Sequence, residues 1–159
     1  MASQPIYFTR EGYKKIKDEH TYLSNTKRRE VSNAIGIARA HGDLKENAEY
    51  HAAKEEQGHV ERRIAQLAGY LSHVRIIEDE KIPNDKIYIG STVKLLNVDT
   101  DEEVQYTLLS EEEADISKGR ISTTSPIGRG LLGHEEGEVV KIRVPSGVFE
   151  YEILEISRL

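Results

Sequence analysis

Asp43, Glu46 and Glu49 cluster around one glycine-marked reversal, in the stretch ARAHGDLKENAEYH at 38–51. If the chain is helical there, Asp43 and Glu46 at i and i+3 stand about 5–6 Å apart at Cβ on one face. Two carboxylates at that spacing can share a hard divalent cation. Mg²⁺ keeps several waters and takes one or two carboxylates, its remaining ligands coming from substrate phosphates. The pair therefore reads as half of a Mg²⁺ site, to be completed by something that supplies phosphates and a first metal about 3.5–4 Å away. Arg39, Lys45 and Lys54 flank the acids and suit phosphate contact. His41 sits close enough to meet phosphate or water. A plainer reading stands beside this one: Asp43 as N-cap and Glu46 at N3 make a capping box for a helix beginning just after Gly42. Acids in a first turn also complement the helix dipole. One carboxylate oxygen can cap while the other faces out, so both readings stay open.

The elements that must carry these residues are two narrow-seamed helices. Thr9 suits an N-cap, Glu11 the first turn, and Phe8 with Tyr13 a hydrophobic staple. The apolar seam runs Tyr13, Ile16, His20, Leu23, crosses a polar stretch around Lys27 to Glu30, and resumes at Val31, Ile35 and Ala38. A second seam runs Ala48, Ala52, Val60, Ile64, Leu67, Leu71 and Val74, in steps of three and four. No proline falls between Pro5 and Pro83. Two such helices with a short turn predict an antiparallel coiled-coil hairpin. About 33 residues of the first helix reach roughly 50 Å. Small residues near the turn, Ala34, Ala38, Ala48, Ala52 and Ala53, predict close helix approach at the tip. The expected hairpin domain is 1–80, with the acidic tip near 41–49.

EDEKIPNDK at 78–86 reads as a linker. Beyond it the apolar period becomes two: 91–98, 103–110, 138–144 and 148–156 read as strands. NVDTDE and VPSGV read as hairpin turns. Ser110 with Glu113 has capping-box spacing. Ser125, Pro126 and Gly133 mark a short helix as N-cap, N1 and stop. The expected fold class is α+β, with a small antiparallel sheet domain over 84–159.

The chain has 159 residues, 37% hydrophobic and 31% charged, with no cysteine. Disulfides and thiolate metal sites are excluded. No apolar run approaches the ~20 residues of a membrane span, and the N-terminus lacks the apolar core of a signal peptide, so a cytoplasmic protein without membrane association is expected. Net charge is −6 and uneven: residues 1–82 carry 14 basic and 13 acidic side chains, residues 83–159 carry 8 and 15. An acidic second half is repelled by nucleic acid and better suited to a protein surface.

The motif ARAHGDLKENAEYHAAKEEQG (38–58) resembles the tip signature of the bacterial Gre-family transcript cleavage (elongation) factors, GreA type, and GRISTTSPIGRGLLGHEEGEVVKI (119–142) resembles their C-terminal domain. The likeness covers essentially the whole chain. It implies an FKBP-like second domain that docks on bacterial RNA polymerase, with Ser125 and Pro126 in the docking segment. It implies a coiled coil that enters the polymerase secondary channel, where the nascent RNA 3′ end of a backtracked complex is extruded. Asp43 and Glu46 then help hold the second Mg²⁺, shared with polymerase and not bound tightly by the free protein, which is expected to be monomeric. The polymerase active site cuts the RNA, so the factor alone is no nuclease. Arg28 and Arg29 are offset by Glu30, Glu55 and Glu56, which points to clearing of short 3′ extrusions. Elongation factors of this kind are grouped with DNA-binding proteins.

Three other readings compete with this one. A family relative acting as polymerase-binding adaptor or inhibitor would not stimulate cleavage. A peptidyl-prolyl isomerase needs an aromatic-lined apolar pocket; the second half offers Tyr88, Tyr106, Phe149 and Tyr151, and the last two share a strand face and suit a core. A zinc site at His51, Glu55 and His59 fails on distance, since the two histidines are about 12 Å apart along a helix.

Overall fold

The computed structural model describes residues 4–159; the first three residues of the stretch read for a signal peptide lie outside the described residues. Strand β1 (Ile6–Phe8) leads into α1 (Arg10–Tyr22), a π-helical turn (Leu23–Lys27), α2 (Arg28–Arg39) and α3 (Ala48–His73). Strands β2 (Val74–Ile76), β3 (Ser91–Asn97), β4 (Glu103–Leu109) and β5 (Arg120–Ser122) follow, then α4 (Pro126–Leu131), β6 (Val139–Val144) and β7 (Gly147–Arg158). The chain forms two compact units. One holds residues 13–74; the other holds 75–159 together with 5–12.

In the helical unit, α2 and α3 pack as an antiparallel pair around Val31, Ile35, Ala53, Val60 and Ile64. From Glu19–Arg63 to Lys27–Glu56 the pairing moves forward along the first helical arm and backward along α3, which fixes that sense. The first seam steps by four from Leu23 through Lys27 and Val31 to Ile35. An α-helix of 3.6 residues per turn loses register over three such steps, and the π turn absorbs the excess residue. The second seam is corrected at its start. Ala53 is buried, whereas Ala34, Ala48 and Ala52 are exposed. Ala38 closes the opposite side, 3% exposed.

Arg28 donates from Nε and Nη2 to both oxygens of Glu61, at 2.8 and 2.9 Å. This hydrogen bonding, with the guanidinium charge, holds the Glu61 carboxyl below the usual range. A depressed carboxyl adds stability above its ordinary range and loses it as pH falls through the folded-state value. The pair is exposed and salt-screened, so the contribution is small. Arg28→Gln is expected to return the Glu61 titration toward its ordinary range, followed by carboxyl-carbon NMR; an unchanged midpoint would show the pair is not formed in solution.

In the second unit five strands are ordered β5-β4-β3-β7-β6. The expected antiparallel pairing holds for β3–β4, β3–β7 and β6–β7, while β4–β5 is parallel. The sheet is therefore mixed. The reason is the connection: two 3-10 turns after β4 bring the chain back to run beside it, with Gly119 at φ +69. The strands alternate, as β3 shows by burying Ser91, Val93, Leu95 and Asn97. Val93, Leu95, Leu108, Leu131, Ile142, Tyr151 and Ile153 form the core. Phe149, partly buried, packs against that core with its ring 6.4 Å from Tyr151. Burial raises the Tyr151 hydroxyl pKa.

The start of α1 belongs to this unit. Thr9 Oγ1 accepts from Gly12 N at 3.0 Å, the expected N-cap. Glu113 was expected in a capping box with Ser110, but Ser110 makes no capping bond and its hydroxyl has no partner. The Glu113 carboxylate instead accepts from Thr9 N at 2.7 Å and from Thr9 Oγ1 at 2.5 Å. Glu78 accepts from Arg10 N at 3.1 Å. Carboxylates from two distant segments thus meet the free N–H groups of a helix start. Glu113→Gln is expected to cost about 2 kcal/mol, the usual worth of hydrogen bonds to a charged group. The urea midpoint should fall at unchanged slope; an unmoved midpoint would remove Glu113 from the anchor.

Candidate functional site

The reversal between α2 and α3 spans residues 40–47. α2 ends at Arg39, and Ala40 donates back to Gly36 and Ile37 carbonyls. Gly42 follows at φ +123, a conformation L side chains rarely adopt, which explains its place in the motif. Asp43 and Glu46 lie in this loop, and the expected shared helix face does not form. Both are exposed.

The capping-box reading of these acids is not what the chain does. α3 begins at Ala48, and its N-cap is Asn47, whose Oδ1 accepts from Tyr50 N at 3.0 Å. The Asn47 amide also donates from Nδ2 to Ala38 O at 2.5 Å, so one side chain joins the end of α2 to the start of α3. Asp43 Oδ1 accepts from Lys45 N at 3.0 Å, a local Asx turn made by an exposed side chain. Glu46 takes no part in capping. Sequence favoured Asp43 because Glu46 followed three residues later; Asn47 is as good a cap by residue type, and only the helix start distinguishes them.

Around these acids, His41 donates from Nδ1 to Glu49 Oε2 at 3.0 Å. His51 donates from Nε2 to Lys45 O at 3.1 Å. His41, Asp43, Glu46, Asn47, Ala48 and Glu49 line one open concavity of about 460 Å³. The three candidate cations are exposed, and none of them lines it. Arg39 lies with its guanidinium 5.9 Å from the Tyr50 ring centre. Lys45 is in the loop, and Lys54, on α3, donates to Gln57 Oε1 at 3.0 Å. His59, the other histidine of the zinc reading, lies beside Arg62 and Glu55.

Donor chemistry at the tip fits half of a hard-cation shell. Asp43 and Glu46 are two oxygen-ligand side chains lining one concavity. That donor set matches an ion completed by phosphate and by ligands from elsewhere.

Ser125 and Pro126 stand at the head of α4. The Ser125 hydroxyl donates to Ser122 O at 2.6 Å and accepts from Gly128 N at 3.1 Å. It is engaged in the fold, whereas Pro126 at N1 is exposed. Sequence spacing gave the α3 cap to Asp43; the Asn residue type ahead of an apolar-periodic run was the available signal for Asn47.

Residues 6–76 match the family described as "Transcription elongation factor, N-terminal", and residues 82–158 match "Transcription elongation factor, GreA/GreB, C-term". The chain is 51% identical over 155 residues to transcription elongation factor GreA of Chloroherpeton thalassium, covering 98% of each. It is 51% identical to that of Pasteurella multocida, covering 96% of this chain and 97% of the relative. Among solved structures, GreA factor homolog 1 of Thermus thermophilus is 26% identical with a TM-score of 0.45, covering 97% and 99%.

Proposed function

The chain belongs to the GreA/GreB family of transcription elongation factors, and we propose that it works with bacterial RNA polymerase by presenting Asp43 and Glu46 to the polymerase active site. The α2–α3 hairpin enters the secondary channel, and the polymerase cuts the extruded 3′ end of backtracked RNA. The observation that carries this reading is that Asn47, not Asp43, caps α3, which leaves both acids exposed in the loop.

Asp43 Oδ2 and the Glu46 carboxylate are the residues that would hold a Mg²⁺ shared with polymerase. When bound, the ion offsets the charge that builds on the scissile phosphate. The remaining work falls to this chain's own groups. The Asx turn keeps Asp43 pointed along one direction. Arg39, Lys45 and Lys54 meet RNA phosphates at the margin. Exposed Pro126 contributes to docking, with the Ser125 hydroxyl holding the turn beneath it. The factor supplies ligands and position but no complete metal site, so hydrolysis needs polymerase. It acts as a monomer, in the cytoplasm where polymerase works. An adaptor or inhibitor role without cleavage is the competing reading; exposure of both acids favours cleavage.

The test is a backtracked polymerase complex carrying 3′-labelled RNA in Mg²⁺ buffer. Release of short 3′ fragments on adding the protein, with none from protein and RNA alone, is expected. Binding without release would replace this reading with the adaptor or inhibitor.

A further inference from the structure

We propose that Asn47 and His51 are positioning residues, which hold the tip loop in the conformation that places Asp43 and Glu46 on one concavity. The inference rests on the cleavage reading above. Residues 40–46 are all exposed, and even Leu44 is 40% exposed, so no buried apolar side chain within this segment anchors it. Hydrogen bonds from side chain to backbone take that role. Asn47 grips Ala38 O with Nδ2 and Tyr50 N with Oδ1, at 2.5 and 3.0 Å, and so closes the loop at its two ends. Lys45 is held from both sides of its own backbone. Its N–H is bound by Asp43 and its carbonyl by His51. The Lys45 carbonyl belongs to the peptide that carries the Glu46 nitrogen. Fixing it fixes how Glu46 leaves the chain, while the Lys45 amide fixes Asp43. His51 sits on the first turns of α3, its ring 5.7 Å from Tyr50 in an edge arrangement, so the hold comes from a regular element.

Substitution separates positioning from folding. Asn47→Ser retains an oxygen to cap α3, adds no charge and loses the amide that reaches Ala38 O. His51→Phe retains a ring beside Tyr50 and loses only the donor to Lys45 O. His51→Gln can still donate. In the backtracked-complex assay, Asn47→Ser and His51→Phe are expected to lower the maximal cleavage rate by about 10- to 100-fold, the cost of roughly 1 Å of misplacement. The half-saturating factor concentration, helical content and melting temperature should match wild type, and His51→Gln should recover most of the rate. Maximal rates equal to wild type would overturn the inference. So would rate losses matched by loss of helix or by His51→Gln being as slow as His51→Phe. Asp43→Asn runs alongside as the control. If wild type itself gives no stimulation over Asp43→Asn while binding polymerase, the cleavage reading falls and this inference with it.

Discussion

Asp43→Asn combined with Glu46→Gln is expected to reduce cleavage stimulation by about 10²- to 10³-fold, the scale of removing a preorganised electrostatic contact to a transition state. Affinity for polymerase and stability should stay close to wild type. Stability is spared for a specific reason. Neither carboxylate caps α3, because Asn47 does. The single local bond of Asp43 is accepted by Oδ1 from Lys45 N, and asparagine retains that oxygen. Exposed substitutions away from caps and cores usually stay within about 0.5 kcal/mol. Single-turnover cleavage with a saturating factor measures the loss, and circular dichroism with a melting curve checks the fold. A double variant that cleaves like wild type would take the acids out of the chemistry. A variant that melts early would return them to a structural role.

The largest expected stability effect lies in the other unit, at Gly128→Ala. Gly128 is buried in α4, and a Cβ there would stand 2.0 Å from Ser122 O and 3.0 Å from Ser125 Oγ. Ser122 O is itself fixed, accepting from Ser125 N at 3.0 Å and from Ser125 Oγ at 2.6 Å. Backbone cannot yield as a long side chain can. The added methyl must push α4 away from β5 or break the Ser125 cap. Overpacking of this kind costs about 1–3 kcal/mol, with lost capping adding about 1. Chemical denaturation should show a lowered midpoint. Because α4 presents Pro126, weaker polymerase binding should accompany it. Unchanged stability and unchanged binding would mean that the Ser122–Gly128 approach is looser than it stands here.

Several features were legible because they depend on neighbours in sequence. The Thr9 and Ser125 caps are bonds to amides three residues on. The seam through Val31, Ile35, Val60, Ile64 and Leu67 follows from helix periodicity, and β3 follows from alternation. Glu113 was misplaced because its true partner, Thr9, is 104 residues away. The parallel β4–β5 pair was missed because strand sense is set by how the connection returns, which no window of residues reveals. Ala52 and Ala53 are adjacent alanines, and composition cannot say which faces α2.

For the tip, the sequence by itself determined which groups are present: the acids, the cations, a glycine for the turn, and two helices to carry them. The tertiary structure decided which Asx residue caps α3. That choice is made by the closure of α2 on α3, where the Ala38 carbonyl lies within reach of the Asn47 amide. A long-range contact of this kind gives one residue two partners, which local spacing cannot weigh. With the cap assigned to Asn47, Asp43 and Glu46 have no structural bond between them beyond the Lys45 amide and remain open to solvent.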